Sequence, residues 1–218
     1  MHEGELLFSE ILNCKKVDLY LNKGLLLDKP KSTFVASVLK RRIKGEPIQY
    51  ILGKTEFMGL EFKVDKNVFI PRPETEILVE AALKIVHSKE FIVHSILDLG
   101  TGCGCIAISL AKFLSKEKIT AIDISQDAIG IAKQNALLNN VKIEFLCGDL
   151  FEPLKTETIM AGSSQLAASS RERPTSHKLL ATSPCKFDLL IFNPPYLPKS
   201  KKLRMIKIGN IELGEFPL

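Results

Sequence analysis

"ILDLGTGCGCIAISLA" runs from Ile96 to Ala111. It opens as an apolar strand, turns on Gly100, Gly102 and Gly104, and closes as a helix. Glycine lets a backbone turn sharply and lets a ligand lie directly against it. The helix start that follows offers free N–H groups and a partial positive charge. The same alternation continues downstream. "ITAID" reads as a strand, 126–139 as a helix, and "VKIEFL" and "FDLLIFN" as further strands. Apolar strands alternating with helices specify an α/β fold whose parallel sheet is covered on both faces.

Ligands of open α/β sheets bind beyond the carboxyl ends of the strands. Three features fall there in order. The spacing Asp98-x-Gly100-x-Gly102-x-Gly104 is tighter than the dinucleotide fingerprint, so it suits a nucleoside joined to an amino acid rather than to a pyrophosphate. Asp123 ends the second strand, where a carboxylate can accept from both hydroxyls of a ribose. Asp149 follows the third strand, placed to accept from an adenine amino group. Each alone is common in plain turns and helix caps; their succession at three strand ends points to nucleoside binding.

The fourth strand runs into Asn193-Pro194-Pro195-Tyr196. The Asn193 carbonyl and the backbone carbonyl of Pro194 are two acceptors, and the prolines stiffen the turn while adding no donor. Two acceptors match the two hydrogens of a planar –NH₂ group, on which Tyr196 can stack. Such a nitrogen is a poor nucleophile until both N–H bonds are held and its lone pair is aimed. A strong electrophile then needs little acid–base help, and the sulfonium methyl of S-adenosyl-L-methionine is one, carried by an amino acid on a nucleoside. Catalysis of this kind is alignment and electrostatics.

Upstream, residues 1–54 read as a helical domain, with a helix over Thr33–Lys44 and loop signals at Lys23-Gly24 and Lys29-Pro30. Residues 55–70 alternate apolar and polar side chains around Gly59 and Asp65–Asn67, the pattern of a β-hairpin linker. "ETEILVEAALKIVH" predicts a helix whose apolar face carries Ile77, Ala81 and Ile85 with Leu78, Ala82 and Val86. Residues 71–218 form the sheet domain. Within it, 155–186 holds six Ser and four Thr without periodicity and reads as a low-complexity insertion.

Composition bounds the rest. No apolar run reaches the ~20 residues of a membrane helix, and the N-terminus carries acids where a secretory signal carries bases. The five cysteines lack metal-ligand spacing, so no metal is expected, and a reducing cytoplasm fits them. Net charge is +3 over 1–70, −3 over 71–154 and +5 over 155–218, which sums to the chain's +5. The acidic middle third holds most of the site, so direct nucleic-acid binding is not expected.

The stretches "RRIKGEPIQYILGKTEFMGLEF", "VFIPRPETEILVE", "ILDLGTGCGCIAISLA", "AIDIS", "GDLF" and "FNPPYLPKS" resemble the HemK/PrmC family of glutamine methyltransferases. The resemblance implies a class I, Rossmann-like methyltransferase sheet behind a small N-terminal helical domain. It implies S-adenosyl-L-methionine held by Gly100, Thr101, Gly102, Cys103, Gly104, Asp123, Asp149, Leu150 and Asn193. It implies catalysis by Asn193, Pro194 and Tyr196, with Asn193, Pro194, Pro195, Tyr196 and Arg72 against the substrate. That substrate is the glutamine of the Gly-Gly-Gln loop of peptide-chain release factors, docked by the N-terminal helices. Family members continue past the Asn-Pro-Pro-Tyr turn, so the C-terminal strands are expected to be missing and "FDLLIFN" to have a bare outer edge. A ribosomal-protein or nucleic-acid amino group as target, and an inactive remnant, stand as alternatives.

Overall fold

The fold is seen in a computed structural model, which describes residues 3–21, 24, 26–88, 91–154, 187–193, 206–208 and 211–213. The reading of 155–186 as an insertion lies outside these residues.

Four helices lead the chain: α1 (Glu3–Leu12), α2 (Lys16–Leu21), α3 (Lys29–Ile43) and α4 (Ile48–Leu52). Leu7, Val38, Ile48 and Ile51 close a small core of their own. The α3 helix starts earlier than its apolar pattern predicts. Asp28 caps it by accepting from the Lys31 N–H at 2.9 Å, and Pro30 sits in the first turn. The Lys29-Pro30 loop signal is therefore a helix start, because proline's fixed φ and missing N–H cost nothing there.

Strands β1 (Lys54–Phe57) and β2 (Leu60–Lys63) pair antiparallel across Met58-Gly59. Both turn residues have positive φ, +52° and +72°, as a two-residue hairpin turn requires. Phe57 and Phe62 meet edge to face, with ring centroids 6.1 Å apart. Helix α5 (Pro73–His87) follows. Its buried stripe is Thr75, Val79 and Ala82, whereas Ile77 is 66% exposed. Ala82, Leu78, Ile85 and Val86 of the expected face do pack on the core, so the correction is a partial rotation that takes Ile77 out of the buried stripe and brings Thr75 and Val79 in.

The main sheet then forms from β3 (Ser95–Leu99), β4 (Lys118–Asp123), β5 (Glu144–Cys147) and β6 (Leu189–Phe192), with α6 (Cys105–Phe113) and α7 (Gln126–Leu138) between strands. The order is β5-β4-β3-β6, all parallel. On one face Ile96, Ala121, Leu189 and Ile191 pack with residues of α5, α6, α7 and the hairpin. The opposite face gathers Leu97, Leu99 and Ile122 with Leu146, Leu154, Phe187 and Phe192.

The outer edge of β6 is not bare. Strand β7 (Ile206–Ile208) pairs with it antiparallel, Ile191 opposite Ile206, and β8 (Ile211–Leu213) pairs with β7. The expectation of an unpaired edge is overturned: the tail has enough β-branched residues to fold back over it, and edge satisfaction favours that. Among the described residues no helix is long and apolar enough to cross a membrane.

Candidate active site

Register places the site. Leu99 of β3 lies opposite Ile122 of β4 and Phe192 of β6, and Asp123 lies opposite Cys147 of β5. The residues that follow therefore share one edge of the sheet. Across it the order is Asp149, Asp123, the loop Gly100–Gly104, and Asn193.

The glycine loop is built from its own backbone. The Thr101 N–H donates to Ile122 O at 3.0 Å, and the Gly104 N–H to Thr101 O at 2.9 Å. Gly100, Gly102 and Gly104 all have positive φ. They differ in surroundings. A Cβ at Gly104 would lie 2.8 Å from Ile108 Cδ1 and 3.2 Å from Ala132 Cβ, so this glycine lets α6 and α7 approach. A Cβ at Gly102 would meet nothing within 4 Å, so the loop's outer side is open to a ligand.

Asp123 frames the loop. Its Oδ2 accepts from the Gly102 N–H at 2.8 Å and its Oδ1 from the Ser125 N–H at 2.9 Å. Each oxygen keeps a further lone pair. Ser125 in turn caps α7 by accepting from the Ala128 N–H. The Gly148 N–H donates to the Asp123 carbonyl at 3.0 Å, which brings the exposed Asp149-Leu150 pair alongside. Leu150 has φ +46° and is half exposed.

Beneath the loop lies Asp98, 1% exposed. Thr101 Oγ1 donates to its Oδ2 at 2.7 Å. Its Oδ1 has no well-formed hydrogen bond, and the Ala107 N–H in the first turn of α6 lends only a weaker pull. Burial dominates, and the carboxyl pKa is pushed up to about 7 against these two hydrogen-bond donors, with a small further push from the Asp123 charge. Thr101 and Cys103 are both buried, so of the loop residues named from sequence these two can offer a ligand only their backbone.

Asn193 closes the edge beside Gly100. Its Nδ2 donates to Thr75 Oγ1 at 3.2 Å. Pro194, Pro195 and Tyr196 lie outside the described residues. Arg72 occupies the N-cap position of α5, exposed and in extended backbone, with no side-chain cap hydrogen bond.

Sequence reasoning missed three polar side chains here. Thr75 is one. The others are Asn135, on the buried face of α7, and Asn139, four residues on at the C-cap of that helix. Asn135, fully buried, accepts from the Lys63 N–H at 2.7 Å and donates to Lys63 O and Cys103 O at 3.0 and 2.9 Å. Asn139 donates to Glu61 O at 2.9 Å. Together they fasten the hairpin and the glycine loop to one helix. The available signal was two asparagines at helical spacing among the alanines of a buried face.

Comparison with known proteins adds a second line. The family model described as Methyltransferase small domain matches residues 61–161, and that described as PrmC N-terminal domain matches residues 1–53. The chain is 40% identical over 197 residues to the release factor glutamine methyltransferase of Flavobacterium psychrophilum, covering 88% of this chain and 59% of that protein. It is 35% identical over 196 residues to the one of Geobacter sulfurreducens, covering 90% of this chain and 58% of that protein. The chain thus spans a little under three fifths of these two curated relatives. Among solved structures, a SAM-dependent methyltransferase from Agrobacterium tumefaciens overlaps 65% of this chain and 39% of that chain, at 20% identity and a TM-score of 0.43.

Proposed function

The chain belongs to the family of the release factor glutamine methyltransferases, and on that premise we propose that it transfers the methyl group of S-adenosyl-L-methionine to the side-chain amide nitrogen of the glutamine in the Gly-Gly-Gln motif of release factors. The observation that carries this reading is the position of Asn193, one strand away from the open glycine loop and at the same carboxyl edge. An acceptor for an –NH₂ group and a bed for a nucleoside are neighbours there.

The residues present fit the cofactor. The open side of Gly102 leaves room for it over the loop. The Asp123 carboxylate, held by two backbone N–H groups, keeps a lone pair on each oxygen that would accept from the ribose hydroxyls. Asp149, exposed at the end of the neighbouring strand, takes the adenine amino group. When bound, S-adenosyl-L-methionine supplies an activated methyl group and needs no further activation by the protein.

What the chain contributes is alignment. Asn193 Oδ1 and the carbonyl of Pro194 each take one hydrogen of the glutamine amide, which frees and aims the nitrogen lone pair. Tyr196 stacks on the amide plane, and Arg72 stands at the start of α5 for a carboxylate of substrate or cofactor. The helices of residues 1–54 dock the release factor. With the amide so held, the S–CH₃ bond would break as the N–CH₃ bond forms, a neutral thioether would leave, and the amide nitrogen would release one proton to solvent.

The test is mass spectrometry of a release factor incubated with this chain and labelled cofactor. One methyl group is expected on the Gly-Gly-Gln glutamine. Asn193→Ala is expected to lower turnover by ~10²-fold or more, the usual effect of losing one preorganised polar contact, with cofactor affinity little changed. Absence of transfer by the parent chain refutes the proposal.

A further inference from the structure

We propose that Thr75 is a positioning residue for Asn193, holding its amide in the orientation that presents Oδ1 to the substrate. The inference rests on the reading of Asn193 given above and goes one step further.

The two ends of an asparagine amide have opposite chemistry, and the last torsion of the side chain is soft and roughly two-fold. A free Asn193 would present Oδ1 and Nδ2 in turn. An incoming –NH₂ group offers donors, so only Oδ1 is useful; the flipped amide would set N–H against N–H. Something must choose between the two, and among the described residues a side-chain partner for this amide is at hand. The partner comes from 118 positions away, where Thr75 Oγ1 accepts from Nδ2 at 3.2 Å.

Thr75 suits this role. It is 9% exposed, so water competes poorly for the bond. Its χ1 is stiffened by β-branching. It sits in the first turn of α5, and that turn is anchored on both sides. The Thr75 N–H donates to Arg72 O at 2.9 Å, and Glu76 Oε1 accepts from the Met58 N–H of the hairpin turn at 2.7 Å. The buried stripe of α5 thus begins with a hydroxyl rather than the isoleucine its apolar pattern favours. A valine would fill the same space without that oxygen.

The experiment compares the full chain with Thr75→Ser and Thr75→Val by two readouts. The first is the side-chain amide cross-peak of Asn193 in a ¹⁵N-labelled sample, identified by its loss in Asn193→Ala. It should move in Thr75→Val and stay near its parent place in Thr75→Ser. The second is methyl transfer, where Thr75→Val should lose ~10-fold or more in kcat, with Kd for S-adenosyl-L-methionine within about twofold, because only alignment is disturbed. Thr75→Ser should recover most of the rate. An unmoved cross-peak in Thr75→Val overturns the proposal. So does an equal loss of rate in both variants accompanied by weaker cofactor binding, the mark of a merely structural role. A parent chain that transfers no methyl group refutes the proposed reaction, and the cross-peak still decides whether Thr75 orients Asn193.

Discussion

Asn135 is where a small change should do the most damage. Its amide makes three hydrogen bonds from a position with no solvent exposure. In Asn135→Ala the Lys63 N–H and carbonyl lose partners at an exposed residue, where water can partly replace them, at ~0.5–1.5 kcal/mol each. The Cys103 carbonyl lies within the core and is left unmet, at ~1–3 kcal/mol. The sum is about 2–6 kcal/mol, with the lower half favoured because the hairpin end can relax. With a urea m-value near ~2–3 kcal/mol/M, the unfolding midpoint should fall by roughly 1 M. Asn135→Asp is the sharper version. It keeps an acceptor for the Lys63 N–H but turns donors into acceptors facing two carbonyl oxygens, and it buries a charge. At neutral pH it should be worse than alanine, and the gap should narrow as the pH is lowered and the new carboxyl takes up a proton. The assay is urea unfolding followed by circular dichroism at two pH values. A midpoint shift under about 0.3 M for alanine, or an aspartate milder than alanine at neutral pH, would refute the idea that this amide fastens hairpin and loop to α7.

Four further outcomes follow from the structure. Asp98, at about 7 in the fold against 3.8 for the free side chain, keeps its proton where the unfolded chain has lost it, so it favours the fold below the lower value and that advantage disappears as pH rises toward 7; Asp98→Asn should flatten that slope in pH-dependent melting curves. Asp188 has the opposite sign: burial raises its pKa, but hydrogen bonds from the His94 and Ser95 N–H groups and the Ser95 hydroxyl outweigh this and leave it lowered, so its contribution is lost as pH falls, and Asp188→Asn should blunt acid unfolding. Gly104→Ala places a Cβ 2.8 Å from Ile108 Cδ1 at φ +84°, and the strain plus overpacking, ~2–4 kcal/mol together, should lower Tm by several degrees in calorimetry. Asp123→Ala should weaken S-adenosyl-L-methionine binding by ~1.5–3 kcal/mol in a calorimetric titration, the range for hydrogen bonds to a charged group, and unchanged affinity would remove Asp123 from the cofactor site.

Much of the fold was legible before any coordinates because its signals are local. A strand closed by Gly100-Thr101-Gly102 and reopened as a helix can be read from sixteen consecutive residues, and so can the order of strands and helices after it. The acids at the strand ends were legible for the same reason: in a parallel sheet every strand delivers its last residue to one edge, so chain order becomes spatial neighbourhood. Tertiary structure alone decided what depends on partners distant in sequence. Periodicity gave α5 one wide face, and only packing against Phe57, Phe62 and the sheet brought Val79 into it and left Ile77 out. The edge of β6 was read as bare because nothing local says that Ile206–Ile208 turns back upon it. Asn135 and Thr75 carry no mark in the sequence of the partners they meet, Lys63 and Asn193, 72 and 118 residues away. Local composition can hint that such a side chain is buried, as the two asparagines among alanines do, but it cannot name a partner so distant; the bond exists only once burial has removed the water that would otherwise serve both groups.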